Sequence, residues 1–114
     1  MADLNKQKRY FFLGIGGIGM SALARFYNAK GAEVAGYDRT RSELCKQLES
    51  EGIAIHYEDN VDMIPAQFKK FDETLIVFTP AIPAENAEFR YFKDNGFTML
   101  KRAQLLGNIT REHK

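Results

Sequence analysis

The chain has 114 residues, 45% of them hydrophobic, and its 16 Lys plus Arg against 15 Asp plus Glu leave a formal charge of +1. That is one domain's length with enough apolar residues for a core, which excludes intrinsic disorder. The balanced charge also removes the electrostatic case for nucleic acid or an anionic membrane, because phosphate binding of that kind needs an excess of basic side chains on one face.

Cys45 is the single cysteine, so no intramolecular disulfide forms, and its place between Leu44 and Leu48 marks it as a small apolar packer. The first twenty residues put a basic stretch before an apolar run, but glycines break that run and no small-residue cleavage site closes it. A cytoplasmic protein is expected. No apolar run is long enough to span a bilayer.

Arg9 to Leu13 (RYFFL) is a short aromatic run ending at a glycine cluster, which predicts a strand buried on both faces of a parallel sheet. From Ile18 to Ala29 the apolar positions recur at helical spacing, and Gly31 stands where a left-handed cap is wanted. Glu33 to Tyr37 is a second strand closed by Asp38, and Ser42 caps a helix over Glu43 to Ser50 that Gly52 ends. Ile53 to Tyr57 is a weaker third strand, and Val61 to Phe71 reads as irregular, with Pro65 starting a short turn. Thr74 to Thr79 (TLIVFT) is a strong central strand, followed by a loop carrying Pro80 and Pro83.

Glu85 to Asn95 is an amphipathic helix with Phe89 and Phe92 three apart, ended by Gly96, and Phe97 to Leu100 is a last short strand. A final helix runs from Arg102 to about Arg111, with Leu105, Leu106 and Ile109 on one stripe. Gly107 weakens it by about 1 kcal/mol relative to alanine. This alternation predicts an α/β, doubly wound, Rossmann-like domain: five parallel strands in the order 3-2-1-4-5, with helices on both faces. Ligands of such sheets bind beyond the carboxyl ends of the strands, here the loops after Leu13, Tyr37 and Thr79, with the switch point between the first and fourth strands.

Gly14, Gly16 and Gly19 form G-x-G-x-x-G directly after a strand and at the opening of a helix, and Asp38 follows 19 residues after Gly19. Gly14 permits the tight turn, Gly16 lets a pyrophosphate approach the backbone, and Gly19 lets helix and strand pack closely. Free N–H groups at the helix start, at the positive end of its dipole, then hold phosphates. Ser21 either adds a hydroxyl there or is a solvated helix residue. Asp38 either accepts from ribose hydroxyls or ends the strand and caps a turn. Arg39 and Arg41 either meet a 2′-phosphate or form a solvated face.

The loop alone does not separate NAD(P) from other nucleotide diphosphates. The sequence offers no residues suited to hydride transfer, no G-x-x-x-x-G-K-[ST] loop, no His/Cys cluster at metal spacing and no serine elbow. His56 and His113 are isolated. A self-contained enzyme is not expected.

Four motifs then carry a family resemblance: GIGGIGMS at Gly14–Ser21, GYD at Gly36–Asp38, TPAIPAENAEF at Thr79–Phe89 and KRAQLL at Lys101–Leu106. In this order and spacing they resemble the N-terminal domain of the Mur ligases over nearly the whole chain. The resemblance implies that this domain binds UDP-N-acetylmuramate, while a central domain binds ATP and Mg2+ and a C-terminal domain brings the amino acid. It implies an acyl phosphate: ATP phosphorylates the muramate carboxylate, and the amine of L-alanine, or of a whole tripeptide in a recycling variant, displaces phosphate to form the amide. Carried over by residue, Gly14, Ile15, Gly16, Gly17, Ile18 and Gly19, with Ser21, hold the pyrophosphate. Asp38 sits near the ribose or uracil; Thr79, Ala81 and Ile82 line the opposite wall; Asn86 and Glu88 close it. No catalytic residue, metal ligand or cofactor site falls in this domain.

Two departures stand out. Pro80 replaces a serine frequent in the family, and Ile55-His56-Tyr57-Glu58-Asp59 replaces a Gly-His or Asn-His pair, so His56 receives no role. The family's GTHGKTT-type loop follows soon after the KRAQLL helix, and the sequence reaches Lys114 without one. The expectation is therefore a tail at 1–8, a nucleotide-sugar-binding domain at 9–111, and a tail at 112–114 leading to an absent central ATP-binding domain on which this one docks. The alternative is an NAD(P)-binding regulatory domain.

Overall fold

In a computed structural model that describes residues 9–70 and 72–105, the first strand, β1 (Arg9–Leu13), lies at the centre of a five-stranded sheet. From Tyr10 to Leu13 it is fully buried, as its unbroken apolar run requires. Around it come α1 (Ile18–Ala29), β2 (Glu33–Tyr37), α2 (Glu43–Ser50), β3 (Ala54–His56), β4 (Thr74–Phe78), α3 (Ala87–Asp94) and β5 (Thr98–Lys101). The order is β3-β2-β1-β4-β5 and every pairing is parallel, the arrangement the sequence predicts. β1 pairs with β2 from Arg9 opposite Glu33 to Leu13 opposite Tyr37, and with β4 from Arg9 opposite Thr74 to Leu13 opposite Phe78.

Strand alternation divides the core in two. Tyr10, Phe12, Val34, Leu75 and Val77 face α1 and α2 with Leu23, Tyr27 and Leu48, while Phe11, Leu13, Ala35 and Ile76 face α3 with Phe92 and Phe97. Helices thus cover both faces. The stretch read as irregular holds two 3-10 turns, Val61–Met63 and Ala66–Lys69, and these deliver Ile64 and Phe68 into the second core.

Element ends move by one or two residues for local reasons. α3 starts at Ala87 rather than Glu85 because the Asn86 side chain accepts from Phe89 N at 2.8 Å, which makes Asn86 the cap. α2 is capped by Ser42 as expected. The last helix begins at Arg102 and is described to Leu105, whose side chain is buried in the first core. Leu106, Ile109, His113 and the two expected tails lie outside the described residues.

Candidate functional site

The chain leaves β1 through Gly14, whose φ of +89° suits glycine, and both Gly14 N and Ile15 N donate to Tyr37 O, at 2.8 and 3.1 Å. These bonds fasten the loop to the end of β2. Ile15 turns back into the core over Gly36, where a Cβ would stand 2.7 Å from Ile15 Cδ1 and 2.7 Å from the Phe12 carbonyl oxygen. Gly36 is therefore the glycine that close packing demands. The sequence reading gave that role to Gly19, and the structure corrects it: a Cβ on Gly19 would meet the Arg102 side chain, 2.8 Å from Nη1 and 2.9 Å from Cδ.

Asp38 is tied into the loop. Its Oδ2 accepts from Gly16 N at 2.8 Å and its Oδ1 from Thr40 N at 3.0 Å. A Cβ on Gly16 would lie 2.8 Å from Asp38 Oδ2 and 2.8 Å from Cys45 Sγ, so the protein itself requires glycine there, independently of any pyrophosphate. Buried Cys45 is thus a packer beneath the loop. Gly17 precedes α1 and gives it no side-chain cap, and its first turn has no acidic residue, which leaves its leading N–H groups without a side-chain acceptor at the positive end of the dipole. Ser21 is buried and its hydroxyl donates to Ile18 O at 2.9 Å, so that proton serves the helix rather than a phosphate.

Across the switch point, Ile82 N donates to Thr79 O at 3.1 Å and closes a turn after β4. Gly14 faces this turn: from its Cβ position Thr79 Oγ1 is 3.6 Å away and Ile82 Cδ1 3.7 Å. A cleft of about 460 Å³ opens between the loops after β1, β2, β3 and β4, lined by Gly14, Tyr37, Arg39, Asp59, Ala81, Ile82, Pro83, Glu85 and Asn86. The structure separates the two arginines: Arg39 lines the cleft, whereas Arg41 is paired with Glu49 at 2.8 Å. The Arg41 and Tyr57 hydrogen bonds hold the Glu49 carboxyl below its ordinary range. Burial, then the charges of Asp59, Glu88 and Asp38, push the Tyr37 phenol upward, with Arg39 opposing.

The far wall rests on a buried polar network. Asp59 accepts from Ala87 N at 2.8 Å and Glu88 N at 3.1 Å, so it caps α3 from the end of β3. Glu88 is fully buried, its Oε2 lying 2.6 Å from His56 Nε2 and accepting from Asn60 N at 3.1 Å, while Oε1 has no protein partner. Burial pushes the Glu88 carboxyl upward against the opposing hydrogen bond from His56. Asn86 reaches the cleft edge but uses its side-chain oxygen as the α3 cap, and Glu88 is not among the lining residues. Sequence reasoning missed Asp59 as a cap and His56 as the partner of Glu88. The turn-forming Asp59-Asn60 pair after β3 is the one local signal that pointed there.

A family model described as the catalytic domain of the Mur ligase family matches residues 9–114. The chain belongs to the Mur ligase family. As a Mur ligase chain it is 51% identical, over 98% of its length and 24% of the relative's, to UDP-N-acetylmuramate–L-alanine ligase of Parabacteroides distasonis. Its fold matches the UDP-N-acetylmuramate-alanine ligase of Thermotoga maritima with a TM-score of 0.80 and 29% identity, covering 93% of this chain and 24% of that one. It also matches the UDP-N-acetylmuramate:L-alanyl-gamma-D-glutamyl-meso-diaminopimelate ligase of Neisseria meningitides, TM-score 0.72 and 25% identity, over 88% of this chain and 30% of that one. The chain thus spans about a quarter of the length of the curated relatives it matches. Among the described residues no helix is long and apolar enough to cross a membrane, and no three His, Cys, Asp or Glu side chains converge as a metal site would require.

Proposed function

We propose that this chain is the UDP-N-acetylmuramate-binding domain of a cytoplasmic, ATP-dependent ligase that joins L-alanine to that nucleotide sugar in peptidoglycan synthesis. The observation that carries the reading is the cleft at the β1–β4 switch point, bounded by Gly14 on one side and Ala81 to Asn86 on the other, with the uncapped start of α1 just beyond Gly14. That is where a doubly wound sheet takes a nucleotide, and the unmatched N–H groups suit a diphosphate. The loop Gly14–Gly19 holds the pyrophosphate, Thr79, Ala81 and Ile82 face it, and Asn86 and Glu88 keep that wall in place. Identities of 51% to curated L-alanine ligases of Parabacteroides distasonis and Christiangramia forsetii favour L-alanine as the amine donor.

This domain's part in the reaction is to bind and orient the nucleotide sugar so that its lactyl carboxylate is presented for activation. The phosphate donor, ATP with Mg2+, and the amine bind on other domains of the full-length protein, against which this one docks. Activation of the carboxylate as an acyl phosphate and its displacement by the amine complete the amide.

A thermal-shift panel of UDP-N-acetylmuramate, UDP, NAD and NADP tests the reading. Ligand at a hundred times its dissociation constant stabilises by about 2.7 kcal/mol. The uridine nucleotides are expected to raise the melting temperature and the dinucleotides to leave it unchanged. Stabilisation by NADP alone would replace the proposal with a dinucleotide-binding one.

A further inference from the structure

Glu88 stands in the first turn of α3 and is fully buried, yet its Oε1 has no protein partner. Its Oε2 lies 2.6 Å from Nε2 of the buried His56 at the end of β3 and accepts from Asn60 N at 3.1 Å. A contact that short contains a proton, carried by the imidazole or by the carboxyl. With that one proton alone the pair has a net negative charge, buried with one oxygen unfilled, and a second proton removes the charge. The neighbouring groups favour the second proton. Asp59 beyond β3, with Asp38 and the Tyr37 phenol at the end of β2, are acidic groups; Arg39 is the opposing cation, and Phe11 of β1 brings only its ring, 5.8 Å from that of His56. Asp62, Glu85 and Arg90 on the adjoining segments are exposed to water. Asp59 differs from Glu88 in having both oxygens occupied, by Ala87 N and Glu88 N.

Three cleft residues adjoin the pair: Tyr37 is opposite His56 in the β2–β3 register, Asp59 accepts from Glu88 N, and Asn86 caps the helix that carries Glu88. An anion seated in the cleft adds negative charge in front of the pair and displaces water, and both effects strengthen a buried carboxyl's hold on a proton. Resting on the nucleotide-sugar reading above, we propose that the His56–Glu88 pair takes up a proton when the nucleotide sugar binds, which makes the affinity of the site depend on pH. Uptake and affinity are reciprocal: affinity is full below the titration of the free pair and is lost as pH rises through that of the bound pair. The far wall is then a proton-linked part of the site as well as its scaffold.

Calorimetric titration of UDP-N-acetylmuramate, in buffers of different ionisation enthalpy and at pH values rising from the ordinary carboxyl value of 4.5, counts the protons exchanged per ligand bound. This ligand suits the test because its diphosphate is esterified at both ends and keeps its charge. The parent chain is expected to take up a fraction of a proton and to lose roughly threefold to tenfold in affinity as pH rises, the equivalent of a shift of about half to one pH unit in the pair. Glu88→Gln, whatever its affinity, is expected to show no uptake and a flat pH profile. NMR titration of the Glu88 carboxyl carbon in the parent reads the same linkage without a substitution, and ligand is expected to move that titration to higher pH. Binding by the parent with no proton exchanged, uptake that persists in Glu88→Gln, or a carboxyl titration that ligand leaves in place would each overturn the proposal and leave the nucleotide reading intact. A parent that binds no UDP-N-acetylmuramate at any pH would overturn the nucleotide reading itself, and the proposal with it.

Discussion

The two walls of the cleft are held by different means. On the glycine side the backbone does most of the work: Tyr37 O takes two N–H groups of the loop, Asp38 bridges Gly16 N and Thr40 N, and Gly16 and Gly36 lack the Cβ atoms that would obstruct the approach. On the Thr79 side the backbone is shaped by buried polar side chains, with Asp59 and Asn86 capping α3 and Glu88 joining it to His56 and Asn60. At Gly16 and Gly36 the first wall has no room for an added atom. The second tolerates no lost partner. On each wall, residues whose type suggests a ligand contact also fix the shape that a ligand would meet.

The steric wall is expected to break most sharply at Gly36. A valine there pushes its Cβ against the Phe12 carbonyl oxygen, which cannot move without distorting the sheet, so Gly36→Val should lose about 3 kcal/mol or more in denaturant unfolding. Gly16→Ala is expected to cost somewhat less, about 2 kcal/mol, because one of its two obstacles is a side-chain carboxylate that can turn away. Losing that carboxylate's bond to Gly16 N should loosen the loop and weaken UDP binding in the same variant. A Gly16→Ala chain as stable as the parent would show that the glycine serves the ligand alone.

On the polar wall the effects are smaller. Asp59→Ala leaves two α3 N–H groups without their acceptor and is expected to cost about 1 kcal/mol, read by chemical denaturation. If it cost nothing, water would be capping α3 and the contrast between the walls would be weaker. Glu88 adds a pH signature. Its folded carboxyl titrates above the ordinary 4.5, so the folded state holds the proton more tightly than the unfolded one. Stability from this group is full below that ordinary value and falls as pH rises through the raised one. Unfolding free energies of parent and Glu88→Gln, compared pH by pH, should show the parent losing ground to the variant across that window. An unchanging difference would remove Glu88 from the account.

The glycine wall was the more legible in the sequence. A buried run, a glycine cluster, a helical period and an acid after the next strand are local signals, and they located β1, α1, β2 and the sheet order. Even there spacing misassigned the close-packing glycine, because which residue lies over Gly19 depends on where Arg102 arrives after β5, far along the chain. The polar wall was hidden for the same reason. His56 and Glu88 are 32 positions apart and Asp59 lies 28 from Ala87, so no periodicity links them. Asn86 and Glu88 were read as ligand contacts from their motif, and the structure shows the hydrogen bonds that hold them in the wall. The short 3-10 turns that deliver Ile64 and Phe68 carried no period at all.

The central claim is that a nucleotide sugar lies between the two walls. Backbone amide shifts recorded while UDP-N-acetylmuramate is titrated into the chain test it most directly. The account predicts that the amides of Gly14 to Gly19 and of Ala81 and Ile82 shift together along one saturable curve, and that NADP leaves them in place. Saturable shifts confined to other parts of the molecule, or the same pattern evoked by NADP, would contradict it.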